Sequence, residues 1–293
     1  MVTDRRIIIS RTGETLALTE TPFSVEEIKG FDSLDVNVVT TQGFDQDGST
    51  PVNIYTDDRP MEIKGQIYAE STWKMQDLRD RLLDIFLPKA ALEVRHHYGG
   101  VTRTIRAYAE KTPAFTLTKV SKLQEYRVKL RATEPYWRGD RDAMVEMAGT
   151  KGQFHFPLVI PRGKGVIFGV KSKSKIASVP NRSAIRTGME IIFTARGNVT
   201  NPYVINIYTR ECIQINCGMV NGQTITVETG EEKTVTSRLN GVSTDYIGRV
   251  DLEGGNCDFL ELAPGDNVLR YGAEEGEDYL AVKFVYATKY AGV

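Results

Sequence analysis

The sequence has few cysteines, few histidines, no long hydrophobic run and almost no net charge. Its 293 residues include three cysteines and three histidines, and the formal net charge is −1. A small, odd number of cysteines argues against a disulfide framework, so we expect Cys212, Cys217 and Cys257 to be small, buried or half-buried hydrophobic residues. A net charge near zero gives no general indication of binding to nucleic acid or to an acidic membrane surface.

The hydrophobic runs near the N-terminus and elsewhere are short. The first residues hold an apolar run of only three, Ile7 to Ile9, which is too short for the hydrophobic region of a signal peptide. No segment approaches the roughly 18 apolar residues that a membrane-spanning helix needs. We therefore expect a protein that is made in the cytoplasm, is not exported by the usual route and does not insert into a membrane.

The residue types needed for a metal site occur in unsuitable positions. His96 and His97 are adjacent in a predicted strand and therefore point to opposite faces, so they do not easily share a metal ion. Only His155 offers another imidazole. The pair Asp45 and Asp47 resembles a fragment of a calcium loop but lacks the further ligands of such a loop. The sequence predicts no metal ligands.

Sequence motifs for cofactors and catalysis are also missing. The run Gly163-x-Gly165-x-x-x-Gly169 has no preceding strand and following helix, which a dinucleotide site requires. There is no phosphate-binding loop and no nucleophile elbow. Paired carboxylates of a glycosidase leave no motif, so that class stays open. We predict no catalytic residues, no cofactor-binding residues and no cofactor, which favours a structural or binding protein over an enzyme.

The first half of the chain is rich in predicted strands and contains one predicted helix. Two hairpins are indicated, around the turn Thr12-Gly13-Glu14 and around Gly99-Gly100. The helix covers about residues 72 to 87, with Ser71 or Thr72 as its N-cap and Asp77 paired with Arg81. Residues 42 to 51 are expected to form a loop. The predicted strands are Ile7 to Ser10, Thr15 to Leu18, Val36 to Thr40, Met61 to Tyr68, Leu92 to Tyr98, Val101 to Tyr108 and Tyr126 to Ala132.

The charged run Arg138 to Asp142 is expected to be a solvated linker, so we place a domain boundary at residues 138 to 152. This gives a first domain of residues 1–140 and a second of residues 150–293. The second is predicted to be all-β, with many short strands and frequent turns, as in a β-sandwich. Its predicted strands are Gly165 to Val170, Met189 to Ala195, Tyr203 to Tyr208, Cys212 to Asn216, Thr224 to Glu228, Thr234 to Ser237, Phe259 to Leu262, Asn267 to Tyr271 and Leu280 to Tyr286.

The end of the chain has a recognisable pattern. Pro264 presets the backbone of a turn, Gly265 can adopt a positive φ, and the Asn267 side chain can bond the free backbone groups there. The last predicted strand runs almost to the final residue, so we expect no tail, linker or anchor after it. These residues mark a fold and not a binding site.

Four segments, in order along nearly the full chain, are similar to the distal tail protein family of long-tailed bacteriophages, called Dit. Each segment alone is degenerate, and their order and spacing make the combination moderately specific. The segments are Arg131-Ala-Thr-Glu-Pro-Tyr-Trp137, Gly197-Asn-Val-Thr-Asn-Pro202, Leu260-x-Leu262-x-x-Gly265-x-Asn267, and Val285-Tyr286 through Tyr290-x-Gly292-Val293.

This resemblance implies a fold and a structural role. The first domain would be a split β-barrel with one helix, and the second a galectin-like β-sandwich at the periphery of a hexameric ring. The ring would sit at the distal end of the tail in the virion and would join the tail tube protein and tape measure protein to tail-associated, tail-fibre or receptor-binding proteins. DNA would pass through its lumen without being read in sequence.

Two other functions stay open at this point. A carbohydrate-binding module or adhesin would need exposed aromatic residues on the second domain, and Tyr203, Tyr208, Tyr246 and Tyr271 are the candidates, although core packing is expected for each. A tail-tube or other baseplate subunit would assemble into stacked polymers instead of single rings. We assign no ligand-binding residue to either alternative, because a fold alone does not establish carbohydrate binding.

Overall fold

The computed structural model describes residues 5–11, 13–116, 122–147, 150–152, 169–171, 175–252 and 257–293. Within these residues the protein is mainly β, with one α-helix and two short 3-10 helices. The predicted fold class is thereby confirmed. The chain divides into two compact units, Met1–Asp140 with Lys289–Val293, and Arg141–Thr288. No helix of the described residues is long and apolar enough to cross a membrane.

The first unit contains two sheets that meet at one pair of strands. One sheet has the strand order β2-β1-β7-β8, and the other has the order β3-β6-β10-β9. The two sheets meet where β8 pairs with β10, at Ala109 and Leu130. The elements are β1 Arg6–Arg11, β2 Glu14–Ala17, β3 Phe23–Lys29, β4 Val36–Thr41, β5 Thr50–Thr56, β6 Arg59–Tyr68, α1 Thr72–Ile85, β7 Ala91–Tyr98, β8 Val101–Ala109, β9 Ala114–Phe115, β10 Leu123–Ala132 and β11 Trp137–Met147.

The core of the first unit is formed by residues of both sheets and of α1. Alternate residues of β6, β7 and β10 are buried, as the period of two predicts, and β10 shows this most clearly with Tyr126, Val128 and Leu130 inside. The hairpin turn predicted at Gly99-Gly100 is confirmed, because these glycines have φ of 58° and 77°. Both positions require the left-handed region, which glycine enters without steric cost.

The predicted helix is confirmed, with one correction to its ion pairs. The Ser71 side chain accepts a hydrogen bond from the Lys74 backbone amide at 3.2 Å, so Ser71 is the N-cap. The apolar stripe at Met75, Leu78, Leu82 and Ile85 is buried. Asp77 pairs with Lys74 at 2.8 Å, whereas Arg81 reaches Glu14 on β2. The expected Asp77–Arg81 pair is therefore wrong, because each residue has a nearer partner.

The second unit contains a sandwich of two sheets around its own core. One sheet has the strand order β23-β15-β19-β20-β21. The other sheet has the order β14-β22-β16-β17, and β18 also pairs with β16. The elements are β12 Thr150–Gly152, β13 Gly169–Lys171, β14 Ile176–Asn181, β15 Glu190–Ala195, β16 Val199–Asn206, β17 Cys212–Gln214, β18 Gly218–Met219, β19 Thr224–Glu228, β20 Thr234–Leu239, β21 Val242–Asp245, β22 Gly265–Glu275 and β23 Leu280–Tyr290.

The turn before β22 has the geometry expected from its sequence. Gly265 has a φ of 92°. The buried Asn267 side chain donates to the Ala263 carbonyl at 2.8 Å and accepts from the Ala263 amide at 3.0 Å. The side chain thus satisfies backbone groups that the turn would otherwise leave unpaired.

Several strand predictions need correction. Phe259 to Leu262 forms no strand, and only Leu262 makes an isolated bridge, to Thr187. The charged run Arg138 to Asp142 is the beginning of β11 and not a linker, since Arg138 pairs with Thr104 in the ladder with β8. Charged side chains are compatible with a strand that has one wet face. Of the predicted strand Gly165 to Val170, only the last two residues lie within the described part of the chain.

The expectation that the cysteines are unpaired is wrong for two of them. Cys212 and Cys257 form a disulfide across a separation of 45 residues, with their Cα atoms 4.5 Å apart. Cys217 is free and buried, as expected. Sequence spacing could not reveal this pair, because the fold alone brings two distant segments together.

Candidate interaction surfaces

The described residues contain no group of three or more His, Cys, Asp or Glu side chains placed to hold a metal ion. His96 and His97 face opposite sides of β7, as the strand geometry predicts. His96 is buried between the Phe31 and Trp137 rings, and His97 bonds the Thr102 hydroxyl at 2.9 Å. The two rings cannot act together on one ligand.

Burial, together with the positive charge of the nearby Arg5, lowers the pKa of His96 to about 4. Its side chain is 2% exposed, and within the described chain Nε2 has no hydrogen-bond partner. The imidazole is therefore neutral in the folded protein near pH 7. It behaves as a core residue, and the structure gives it no catalytic arrangement.

This burial predicts a pH dependence of stability. The folded pKa, about 4, lies below the ordinary value of 6.5, so the unfolded chain binds a proton more readily between these values. We expect the free energy of unfolding of the first unit to fall by about 3 kcal/mol as the pH is lowered from 6.5 to 4. Urea unfolding at several pH values tests this prediction. The variant His96→Phe should lose the part of the pH dependence that comes from His96.

The two tryptophans have different environments. Trp137 is fully buried and donates its Nε1 hydrogen to the Phe31 carbonyl at 3.1 Å, which is a core role. Trp73, at the start of α1, is 76% exposed and has Lys74 over its ring. A single exposed aromatic residue does not form a ligand platform.

The basic residues of β10 form a wet sheet face with acidic partners. Arg127 pairs with Glu62 at 3.3 Å, and Arg131 pairs with Glu110 at 2.7 Å. The Glu110 carboxylate raises the pKa of Arg131. The charges of these two arginines are therefore matched by neighbouring carboxylates.

The four candidate tyrosines of the second unit do not share one environment. Tyr271 is 2% exposed and Tyr246 packs against the core, whereas Tyr208 is 73% exposed. Tyr203 is half-buried and lies where a side chain at Gly272 would collide with its ring. The core role expected for these residues is wrong for Tyr208.

An exposed apolar surface belongs to β4 and β5. These strands pair only with each other, and all their positions are exposed except Thr56. We call residues 36–56 the arm. The expected loop at residues 42–51 is wrong at its end, because Thr50 and Pro51 begin β5, and no strand is predicted for the rest of β5. The alternation at Val52, Ile54 and Thr56 is a β signal that could have identified it.

A second surface is the outer face of the sheet β1-β7-β8. Four exposed arginines lie on it, Arg6, Arg95, Arg106 and Arg138, and we call this the arginine face. It contains a cavity of about 420 Å³ with small side chains such as Ser10, Ala91 and Thr104 in its lining. Carboxylates are present too, since Glu14 and Glu93 line the cavity and Glu93 bonds Arg95 at 2.6 Å.

Comparison with known proteins identifies a family domain in the first unit. Residues 11–131, in the first unit, match the family model of the phage tail protein RIFT-related domain. No curated protein matches the chain.

The fold over nearly the whole chain is that of phage tail-tip proteins. The Dit protein of phage SPP1, described as a hub of the adsorption apparatus in phages that infect Gram-positive bacteria, has a TM-score of 0.68 at 13% identity, covering 97% of this chain and 99% of that one. A chain of the phage P2 baseplate in its activated conformation with calcium has a TM-score of 0.61 at 11% identity, covering 99% of both. The same baseplate with strontium gives 0.60.

These findings confirm the predicted resemblance to the distal tail proteins. Residues 11–131 carry a phage tail protein RIFT-related domain, and the fold of nearly the whole chain is similar to that of the SPP1 Dit protein.

Proposed function

We propose that this protein forms a hexameric ring at the tail tip, through which DNA passes. The ring connects the tail tube protein and the tape measure protein with tail-associated, tail-fibre or receptor-binding proteins. The first unit forms the ring, and the second unit, a galectin-like sandwich, is available for partners. The role is structural and not enzymatic.

The fold comparison with the SPP1 hub protein carries this proposal. The similarity extends over 97% of this chain and 99% of the hub protein, so it includes both units and not one common sandwich alone. The family match on residues 11–131 adds independent support from sequence for the first unit. The exposed arm and arginine face are surfaces of the kind that a subunit of an assembly needs.

Negative-stain electron microscopy of the purified protein over a range of concentrations, with and without its tail partners, tests the proposal. We expect six-fold rings with a central hole. Stacked tubes would instead indicate a tail-tube subunit. Isolated particles under every condition would overturn the ring, and a glycan array with the second unit would then test the carbohydrate-binding alternative.

A further inference from the structure

The arm is an isolated ribbon whose two faces differ. The ladder pairs Val36 with Thr56 and Val38 with Ile54, which places these four side chains on one face. On the other face the Asn37 amide donates to the Tyr55 hydroxyl at 2.8 Å. One face is therefore apolar and the other is more polar.

This apolar surface is concentrated in a short segment. Of the 21 exposed large hydrophobic residues in the described chain, seven belong to the arm, including Phe44 at its tip with a relative exposure of 106%. An isolated two-stranded hairpin is marginally stable in water, and contiguous exposed apolar patches mark interaction sites. The arm is thus expected to be covered by another surface in the assembled state.

The charge of the arm and its base limits what can cover it. Residues 31–58 contain six aspartates and no lysine or arginine, while the rest of residues 1–140 contains 20 Lys and Arg against 15 Asp and Glu, a difference of +5. At the base, Asp35, Asp57 and Asp58 line a cavity of about 450 Å³ together with Arg131, which pairs with Asp58 at 3.7 Å. At the tip, Asp45 and Asp47 follow Phe44 in the sequence. The acidic arm fits a basic surface.

The arginine face has the charge and shape for this role. The strand register brings Arg95 and Arg138 to either side of Thr104, and pairs Arg106 with Glu93. The cavity there is shallow because small side chains lie between long ones. Carboxylates reduce the positive charge, but arginine is the commoner residue on the face, and its planar guanidinium can both pair with a carboxylate and stack on an aromatic ring.

We propose that the arm of one copy docks on the arginine face of a second copy. This inference rests on the proposed ring function and names the contact that builds it. The contact joins two different surfaces, so each copy both offers an arm and receives one, and such head-to-tail contacts generate rings or open filaments. Phe44 enters the cavity between the arginines, and Asp45 and Asp47 pair with Arg106 and Arg138.

Changes to the apolar face of the arm test the contact directly. We expect Val38→Ser with Ile54→Ser to weaken self-association by about tenfold or more, because two exposed apolar side chains lose their burial in the interface. Asn53→Ser, on the opposite face, is the matched control and should leave association unchanged. Association is measured by sedimentation velocity and mass photometry, and thermal unfolding should be the same for all variants, since the arm lies outside the core.

Charge reversal provides the stricter test. One variant carries Asp45→Lys and Asp47→Lys, and the other carries Arg106→Glu and Arg138→Glu. Each alone should associate poorly, because its arm and face then have the same charge. An equimolar mixture should assemble again, since every arm meets a face of opposite charge in an alternating ring.

The outcomes separate this inference from the ring itself. Recovery of assembly only in the mixture supports the arm contact. If the serine variant and both charge-reversed variants form the same rings as the wild type, the arm contact is overturned and the ring function stays intact. Arm-dependent filaments without rings would support the contact and contradict the ring. A wild-type chain that never associates, even with tail partners, would overturn both.

Discussion

Replacing Arg59 with leucine is expected to destabilise the first unit by about 4 kcal/mol. Arg59 is 2% exposed, and burial lowers the pKa of its guanidinium. Its nitrogens donate to five backbone carbonyls, those of Pro135 at 2.6 Å, Gly30 at 2.7 Å, Ser33 at 2.9 Å, Phe31 at 3.1 Å and Ala291. Leucine would leave these buried acceptors without a donor, which costs more than the loss of the bonds themselves.

Urea unfolding followed by circular dichroism and tryptophan fluorescence measures this effect, since Trp137 lies in the same core. Arg127→Leu is the matched control, because Arg127 is an exposed arginine whose surface ion pair contributes about 0–1 kcal/mol. A loss below about 1 kcal/mol for Arg59→Leu would contradict the structural role that we assign.

Reduction of the Cys212–Cys257 disulfide is expected to destabilise the second unit by about 3–4 kcal/mol. The disulfide closes a loop across 45 residues and thereby lowers the conformational entropy of the unfolded chain. Reduction removes this restriction. It also frees the segment around Cys257, which bridges β17 at Cys212. The wild-type protein should therefore unfold at a lower urea concentration in the presence of dithiothreitol.

A disulfide-free variant provides the control for this experiment. Cys212→Ala with Cys257→Ala should unfold near the reduced wild type and should not respond to dithiothreitol. Cys217 is buried and unpaired, so it should contribute no response to mild reduction. Identical unfolding curves for oxidised and reduced wild type would contradict the prediction.

Features that depend on neighbours along the chain could be predicted from sequence. The stripe of α1 with its cap at Ser71, the glycine turn between β7 and β8, and the alternation in β10 each follow from a period or a turn requirement within a few residues. The turn at Gly265 and Asn267 is another example. Together with their order along the chain, such local marks were sufficient to indicate the distal tail protein resemblance.

The sequence alone therefore determined the strand-rich character, the helix of the first unit and the resemblance to distal tail proteins. Only the tertiary structure decided which distant residues meet. In the folded chain Cys212 is bonded to Cys257, and Arg59 is surrounded by carbonyls from three separate segments. The apolar arm is exposed, whereas Arg127 and Arg131 of β10 pair with carboxylates. The physical reason is that burial and charge pairing are set by contacts between residues far apart along the chain, which no local pattern contains.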